Sequence, residues 1–156
     1  MKKDFPLFYD FMKNETATKY LLFGKEDRTD EGINVLFHSV IDSYETDSPI
    51  YSLVVAHKKD DRFLGSVGLA EDFSVIGYQI YWSVLPDHWN KGYATEGAKA
   101  LLTHAIQSLH MKSLKSYSHP KNFASLRVAE KIGMENLGEK YIDATKSIAV
   151  VYAKRV

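Results

Sequence analysis

The sequence predicts an α+β fold: a mixed, mostly antiparallel sheet with one parallel strand pair, flanked by helices. Three observations carry this. Residues 29–44 place apolar side chains at steps of three and four. Residues 50–57, 63–70 and 75–85 are β-type runs, the last alternating with a period of two. Between Val75 and Ser118 a strand, a long helix and another strand follow one another, and such a crossover returns the chain parallel to where it began.

In the first element Ile33, Leu36, Phe37, Val40, Ile41 and Tyr44 form one stripe, Thr29 is the N-cap, and Asp30 and Glu31 occupy the acid-favouring first turn. Ile50–His57 and Phe63–Ala70, separated by Lys58-Lys59-Asp60-Asp61, read as an antiparallel hairpin. In Val75–Leu85 one parity (Ile76, Tyr78, Ile80, Trp82, Val84) is bulky and the other (Gly77, Gln79, Tyr81, Ser83) smaller and more polar. One face of that strand therefore meets a core and the other something wetter. Ala94, Ala98, Leu101, Leu102, Ala105, Ile106 and Leu109 form the apolar stripe of a helix ending near His110. Leu114–Ser118 is a short strand, Asn122–Ile132 a helix stopped by Gly133, and Leu137–Ile142 and Ile148–Ala153 the last two strands. Phe5–Met12 is too apolar for a free tail and is expected to pack on the domain or on a partner.

The 156 residues are expected to form one domain, 1–156. Twenty basic residues balance twenty acidic ones, which argues against nucleic acid as the main partner. There are no cysteines, so disulfides, thiolate nucleophiles and Cys-based zinc sites are excluded. The six histidines include no pair four apart and no HExxH, and no metal is expected. No signal peptide or membrane-length apolar run is present, so no membrane association and a cytoplasmic location are expected.

The stretch DHWNKGYATEGAKALL, Asp87–Leu102, puts glycine and polar residues where the long helix begins. A first helical turn leaves backbone N–H groups without partners, and the helix dipole adds partial positive charge there. An anion satisfies both, and Gly92 permits its close approach while Lys91 adds a cation. Glycine that merely relieves a strand-to-helix corner is the plainer alternative. Neither GxxxxGK[ST] nor GxGxxG occurs.

WNKGYATEGAKALLTHAI followed by HPKNFASLRVAEKIGM resembles the GNAT N-acetyltransferase superfamily, nearest to the branch of ribosomal-protein N-terminal acetyltransferases. The likeness runs from about Tyr20 to the C-terminus. It implies a pyrophosphate loop for acetyl-CoA on Trp89, Asn90, Lys91, Gly92, Tyr93 and Ala94, continuing to Thr95. Trp89 departs from the general Gln/Arg. The resemblance further implies that the strands before and after the long helix splay apart, freeing the backbone of Ser83, Val84 and Leu85 for the pantetheine arm, and that Asn122 contacts the cofactor.

The family's catalytic residues transfer less completely. The tyrosine that protonates the departing thiolate in many members corresponds to Ala129, and the glutamate base of others to Gln79. Ser125 matches a serine of the ribosomal-protein branch and is the candidate acid, or else a serine packed in a helix. The base is unassigned: Tyr81 and Glu139 are candidates, and His119 or Asp143 are within reach of such a cleft. The attacking amine must be neutral, and a lysine with pKa ~10.4 is about 0.04% neutral at pH 7, against about 10% for an α-amine near ~8. That difference, roughly 3 kcal/mol, favours an α-amine or another low-pKa amine attacking directly, with an ordered water chain as the base.

The expected function is acetyl transfer from acetyl-CoA to a primary amine, a protein N-terminus or a small amine, in a ternary complex. The alternatives are a catalytically degenerate CoA-binding sensor or structural module, motivated by the missing acid and base, and an unrelated phosphate-binding protein. The family's domains begin with a strand and a helix before the segment that aligns with Tyr20, and residues 1–19 hold no convincing strand. A missing first strand leaves a sheet edge, and a homodimer is one way to cover it.

Overall fold

The sheet has six strands in the order β1-β2-β3-β4-β6-β5, namely β1 Tyr51–Ala56, β2 Phe63–Glu71, β3 Tyr78–Val84, β4 Ser113–Ser118, β5 Glu135–Ile142 and β6 Ser147–Arg155. The computed structural model describes residues 2–72 and 77–155. The helices are α1 Phe5–Lys13, α2 Glu15–Thr18, α3 Asp30–Ser43, α4 Tyr93–Gln107 and α5 Phe123–Lys131. All neighbouring strands run antiparallel except β3 and β4. That parallel pair is in register only at Tyr78↔Leu114 and Gln79↔Lys115. Beyond it the strands part, and a gap opens between the C-terminal half of β3 and Ser116–Ser118 of β4.

α4 crosses one face of the sheet. Ala98, Leu101, Leu102 and Ala105 pack on Val67, Leu69, Ile80 and Leu114, and α5 adds Ala129 and Ile132 to the same core. Small residues let α4 lie close: a Cβ at Gly97 would stand 3.2 Å from both Val55 and Val67 side chains. On the opposite face α1 and α3 enclose Phe11, Met12 and Ile33, joined by Leu21, Phe63 and Leu85. β6 is buried on both sides, sending Val150 and Tyr152 toward α4 and α5 and Ala149 and Val151 toward Leu22 and Tyr117. Alternation along the strand lets one chain segment serve two cores.

The predicted α+β class and mixed sheet stand. Thr29 caps α3, its hydroxyl accepting from the Gly32 N–H at 3.0 Å. The hairpin pairs Tyr51↔Leu69 through Ala56↔Phe63. Val75 and Ile76 lie outside the described residues, so the third strand is seen from Tyr78 onward. α4 ends at Gln107, short of His110, which has a left-handed backbone (φ +54°). Phe5–Met12 forms most of an amphipathic helix on the domain, its apolar side closing against α3. Among the described residues no strand precedes β1, which is an edge strand with Leu53 and Val54 about half exposed. Among them, too, no helix is long and apolar enough to cross a membrane.

Candidate active site

Two cavities flank β3. The first, a cleft of about 460 Å3, is lined by the turn that opens α4, by the end of β3 and by α5. Gly92 caps α4 with φ +86°, a left-handed conformation costly for residues with a side chain, and no side chain caps the helix in its place. A Cβ at 92 would meet nothing within 4 Å, so backbone conformation and not crowding demands glycine. The N–H groups of Tyr93, Ala94 and Thr95 belong to the first turn, which has no intrahelical acceptors for them. The turn is pinned to the sheet by Trp89, whose indole N–H donates to the Val84 carbonyl at 2.6 Å. The departure from Gln/Arg at this position thus has a structural use.

Trp89, Asn90, Gly92, Tyr93, Ala94 and Thr95 all line the cleft, as do Ser83, Val84 and Asn122. Two predicted residues do not. Lys91 folds back, its ammonium donating to the Asp87 carbonyl at 2.9 Å. Leu85 turns toward α1, and its N–H donates to the Leu64 carbonyl at 2.8 Å. The positive charge comes from Lys121, Arg127 and Lys131 instead. Arg127 and Lys131 are four residues apart and so share a face of α5. That spacing was visible in the sequence, opposite the apolar stripe, but a charged helix face is ordinarily just a solvated one.

The second cavity, a chamber of about 480 Å3, lies under α1 and α3 against the wetter face of β3. It shares Tyr20, Leu21, Trp82, Ser83, Asn122 and Ser125 with the cleft, so the two meet there. At the junction the Trp82 indole N–H donates to Ser125 Oγ at 3.0 Å, and Ser118 Oγ stands 2.8 Å from the same oxygen. Asn122 caps α5, its side-chain oxygen accepting from the Ser125 N–H at 3.2 Å. Ser125 is therefore held by three neighbours from two strands and its own helix. Trp82, read from the sequence as a core residue of the strand, is an orienting donor as well. Only the splay of β3 from β4 brings it to α5.

Tyr81 lies across Gly68, where a Cβ would fall 2.2 Å from the ring and hydroxyl, and its hydroxyl meets the Ser52 side chain. Burial pushes its phenol above the usual tyrosine value, so phenolate is scarce at neutral pH. Gln79 donates its amide to the Glu71 carbonyl at 3.1 Å. Glu139 is exposed on β5 and lines neither cavity, nor do His119 or Asp143. Among the described lining residues the cleft carries cations and no acid, and the chamber carries no charge at all.

The acetyltransferase (GNAT) domain family matches residues 1–135. The chain belongs to the GNAT acetyltransferase family. It is 26% identical over 139 residues to the uncharacterized N-acetyltransferase YnaD of Bacillus subtilis, covering 87% of this chain and 76% of that protein. Its fold is similar to a GNAT-family acetyltransferase from Bacillus anthracis, with a TM-score of 0.78 at 23% identity, covering 98% of this chain and 89% of that one. It is also similar to the RimJ of Mycobacterium smegmatis, in complex with CoA-disulfide, with a TM-score of 0.80 at 12% identity over 100% of this chain and 79% of that one. At such identities the structural likenesses speak for the fold. This GNAT chain keeps the splayed strand pair and the helix terminus between them.

Proposed function

We propose that the protein transfers the acetyl group of acetyl-CoA to a primary amine, directly, with donor and acceptor bound together. The observation that carries this is the meeting of two cavities of different character beside the Ser125 hydroxyl, which Trp82 and Ser118 hold there. The cleft suits the donor. Backbone N–H groups of residues 92–95 and the α4 dipole hold the pyrophosphate, and Lys121, Arg127 and Lys131 add compensating charge. The Asn122 amide and the rim aromatic Phe123, 70% exposed, bound the rest of that surface. Acetyl-CoA supplies an acetyl group on a thioester. The amine enters from the chamber, its nitrogen bonds to the carbonyl carbon, and the carbon–sulfur bond breaks. Ser125 gives its proton to the departing sulfur, and the proton shed by nitrogen returns to Ser125 through Ser118 or water. The leaving thiolate is a far weaker base than an alkoxide or an amide anion, so a hydrogen-bond donor serves where a strong acid is unnecessary.

The uncharged chamber favours one second reading, a CoA-binding module without turnover, since no carboxylate or imidazole stands ready as base among the described lining residues. Calorimetry with acetyl-CoA and thiol release against an amine and peptide panel separate the two. Binding with silence across the panel supports the module, and no binding removes both. The open edge of β1 also supports self-association, since a twofold axis would let two edges pair. Sedimentation at micromolar concentration, with Leu53→Lys as the disrupting variant, tests that part.

A further inference from the structure

The geometry points to a hydrophobic primary monoamine as the acceptor: an uncharged apolar body carrying a single amino group. This rests on the transfer reading above and narrows it. The chamber's volume of about 480 Å3 lies in the range of small-ligand pockets, roughly 300–1,000 Å3. Its roof is apolar, with Phe8, Phe11 and Met12 from α1 and Leu36 and Val40 from α3. Its floor is the polar face of the sheet, where Ser52, Ser66, Ser83 and Tyr81 present hydroxyls.

Hydroxyls can accept from or donate to an amine, an amide or an alcohol. They cannot neutralise an ammonium or a carboxylate, and a buried charge without a counter-charge is strongly disfavoured. The described lining holds no Asp, Glu, Lys, Arg or His. Tyr117, also on the lining, donates to both carboxylate oxygens of buried Asp72 at 2.8 and 2.9 Å, and Lys115 stands 3.4 Å from that carboxylate. This acid is therefore already compensated by the protein. A polyamine would bring a second ammonium into the chamber with no partner, and a free amino acid would bring a carboxylate. A monoamine must shed only the charge on its reacting nitrogen, and its product amide is neutral like the chamber.

Hexylamine and 1,6-diaminohexane form the decisive pair, being equal in length and different by one charge. At pH 9, kcat/KM for thiol release from acetyl-CoA is expected to favour hexylamine by at least about 100-fold, and Ser52→Asp is expected to reduce that preference at least about tenfold. A diamine used as well as the monoamine by the parent protein overturns the inference. Phenethylamine and a Phe-initiated dipeptide amide form a second pair. Whichever is preferred identifies a small molecule or a chain terminus as the source of the apolar body, whereas neglect of both beside the diamine counts against the class. If acetyl-CoA binds but no amine is turned over, the transfer reading fails and calorimetry on the CoA complex still decides the acceptor class. Hexylamine bound tighter than the diamine upholds it, and no amine binding, or tighter diamine binding, overturns it.

Discussion

Replacing Ser125 by alanine removes one oxygen from the point where both cavities meet. That oxygen accepts from the Trp82 indole at 3.0 Å and lies 2.8 Å from Ser118 Oγ. A donor that stabilises charge only as the carbon–sulfur bond breaks affects kcat and not donor binding. The expected loss in kcat is about 10²–10³-fold, about 3–4 kcal/mol, with the acetyl-CoA dissociation constant unchanged within threefold. The variant also strands the indole N–H in a partly buried position, which costs about 1–3 kcal/mol, and each kcal/mol lowers Tm by about 2–4 °C for a protein of this size. Trp82→Phe combined with Ser125→Ala removes the stranded donor and is expected to recover part of that Tm. The assay is thiol release at saturating amine, beside calorimetry with acetyl-CoA and thermal unfolding. A folded Ser125→Ala protein retaining kcat within threefold refutes the role given to this hydroxyl, and a matching loss in Ser118→Ala alone would move the acid there.

Gly92→Ala is expected to cost only the left-handed backbone, about 1–2 kcal/mol, because a Cβ there has open space. Its acetyl-CoA affinity should fall as the first turn of α4 relaxes, and unchanged affinity by calorimetry would remove the helix terminus from the donor site. Arg127→Ala and Lys131→Ala are each expected to raise the KM for acetyl-CoA about five- to tenfold at low salt, with a smaller difference from the parent at 0.5 M salt, where charge is screened. The alkaline limit of stability follows from Tyr81 and Tyr152. Burial raises the pKa of both, and for Tyr152 a hydrogen bond to Glu130 acts in the same direction. Their neutral forms therefore contribute stability that is complete below the unfolded tyrosine pKa of ~10 and is lost as pH rises through the folded values. Urea midpoints from pH 8 to 11 should fall steeply above pH 10, and less so in Tyr81→Phe; a slope identical in that variant counts against the assignment.

Much of the fold was legible along the chain. The steps of three and four in residues 29–44, the alternation before Leu85 and the glycine stop at 133 reflect local geometry, in which side-chain period alone selects helix or strand. Phe5–Met12 was legible as buried but not as the chamber's roof, because an apolar stripe does not name what it packs against. The glycine turn that opens α4 was legible for a physical reason too, since unpaired N–H groups at a helix start and a residue allowing positive φ are properties of a contiguous segment.

The direction of the Lys91 side chain was not legible in the same way. A lysine's long, flexible side chain can turn to whichever acceptor lies near, and here the Asp87 carbonyl is in reach. Nor was the pairing of Leu85, just past β3, whose N–H donates to the Leu64 carbonyl of β2.

The order of elements and the helix start that displays its amides follow from the chain's local sequence. These are written in neighbouring residues, and neighbours fix local backbone. Only the packed chain shows that Trp82 and Ser118 hold Ser125, that Lys121, Arg127 and Lys131 line the cleft while Lys91 does not, and that the chamber's described lining residues carry no charge. Those facts depend on residues 7 to 43 positions apart, or further, meeting where two parallel strands part. No period or motif along the chain records where that meeting falls, because packing both faces of the sheet sets it.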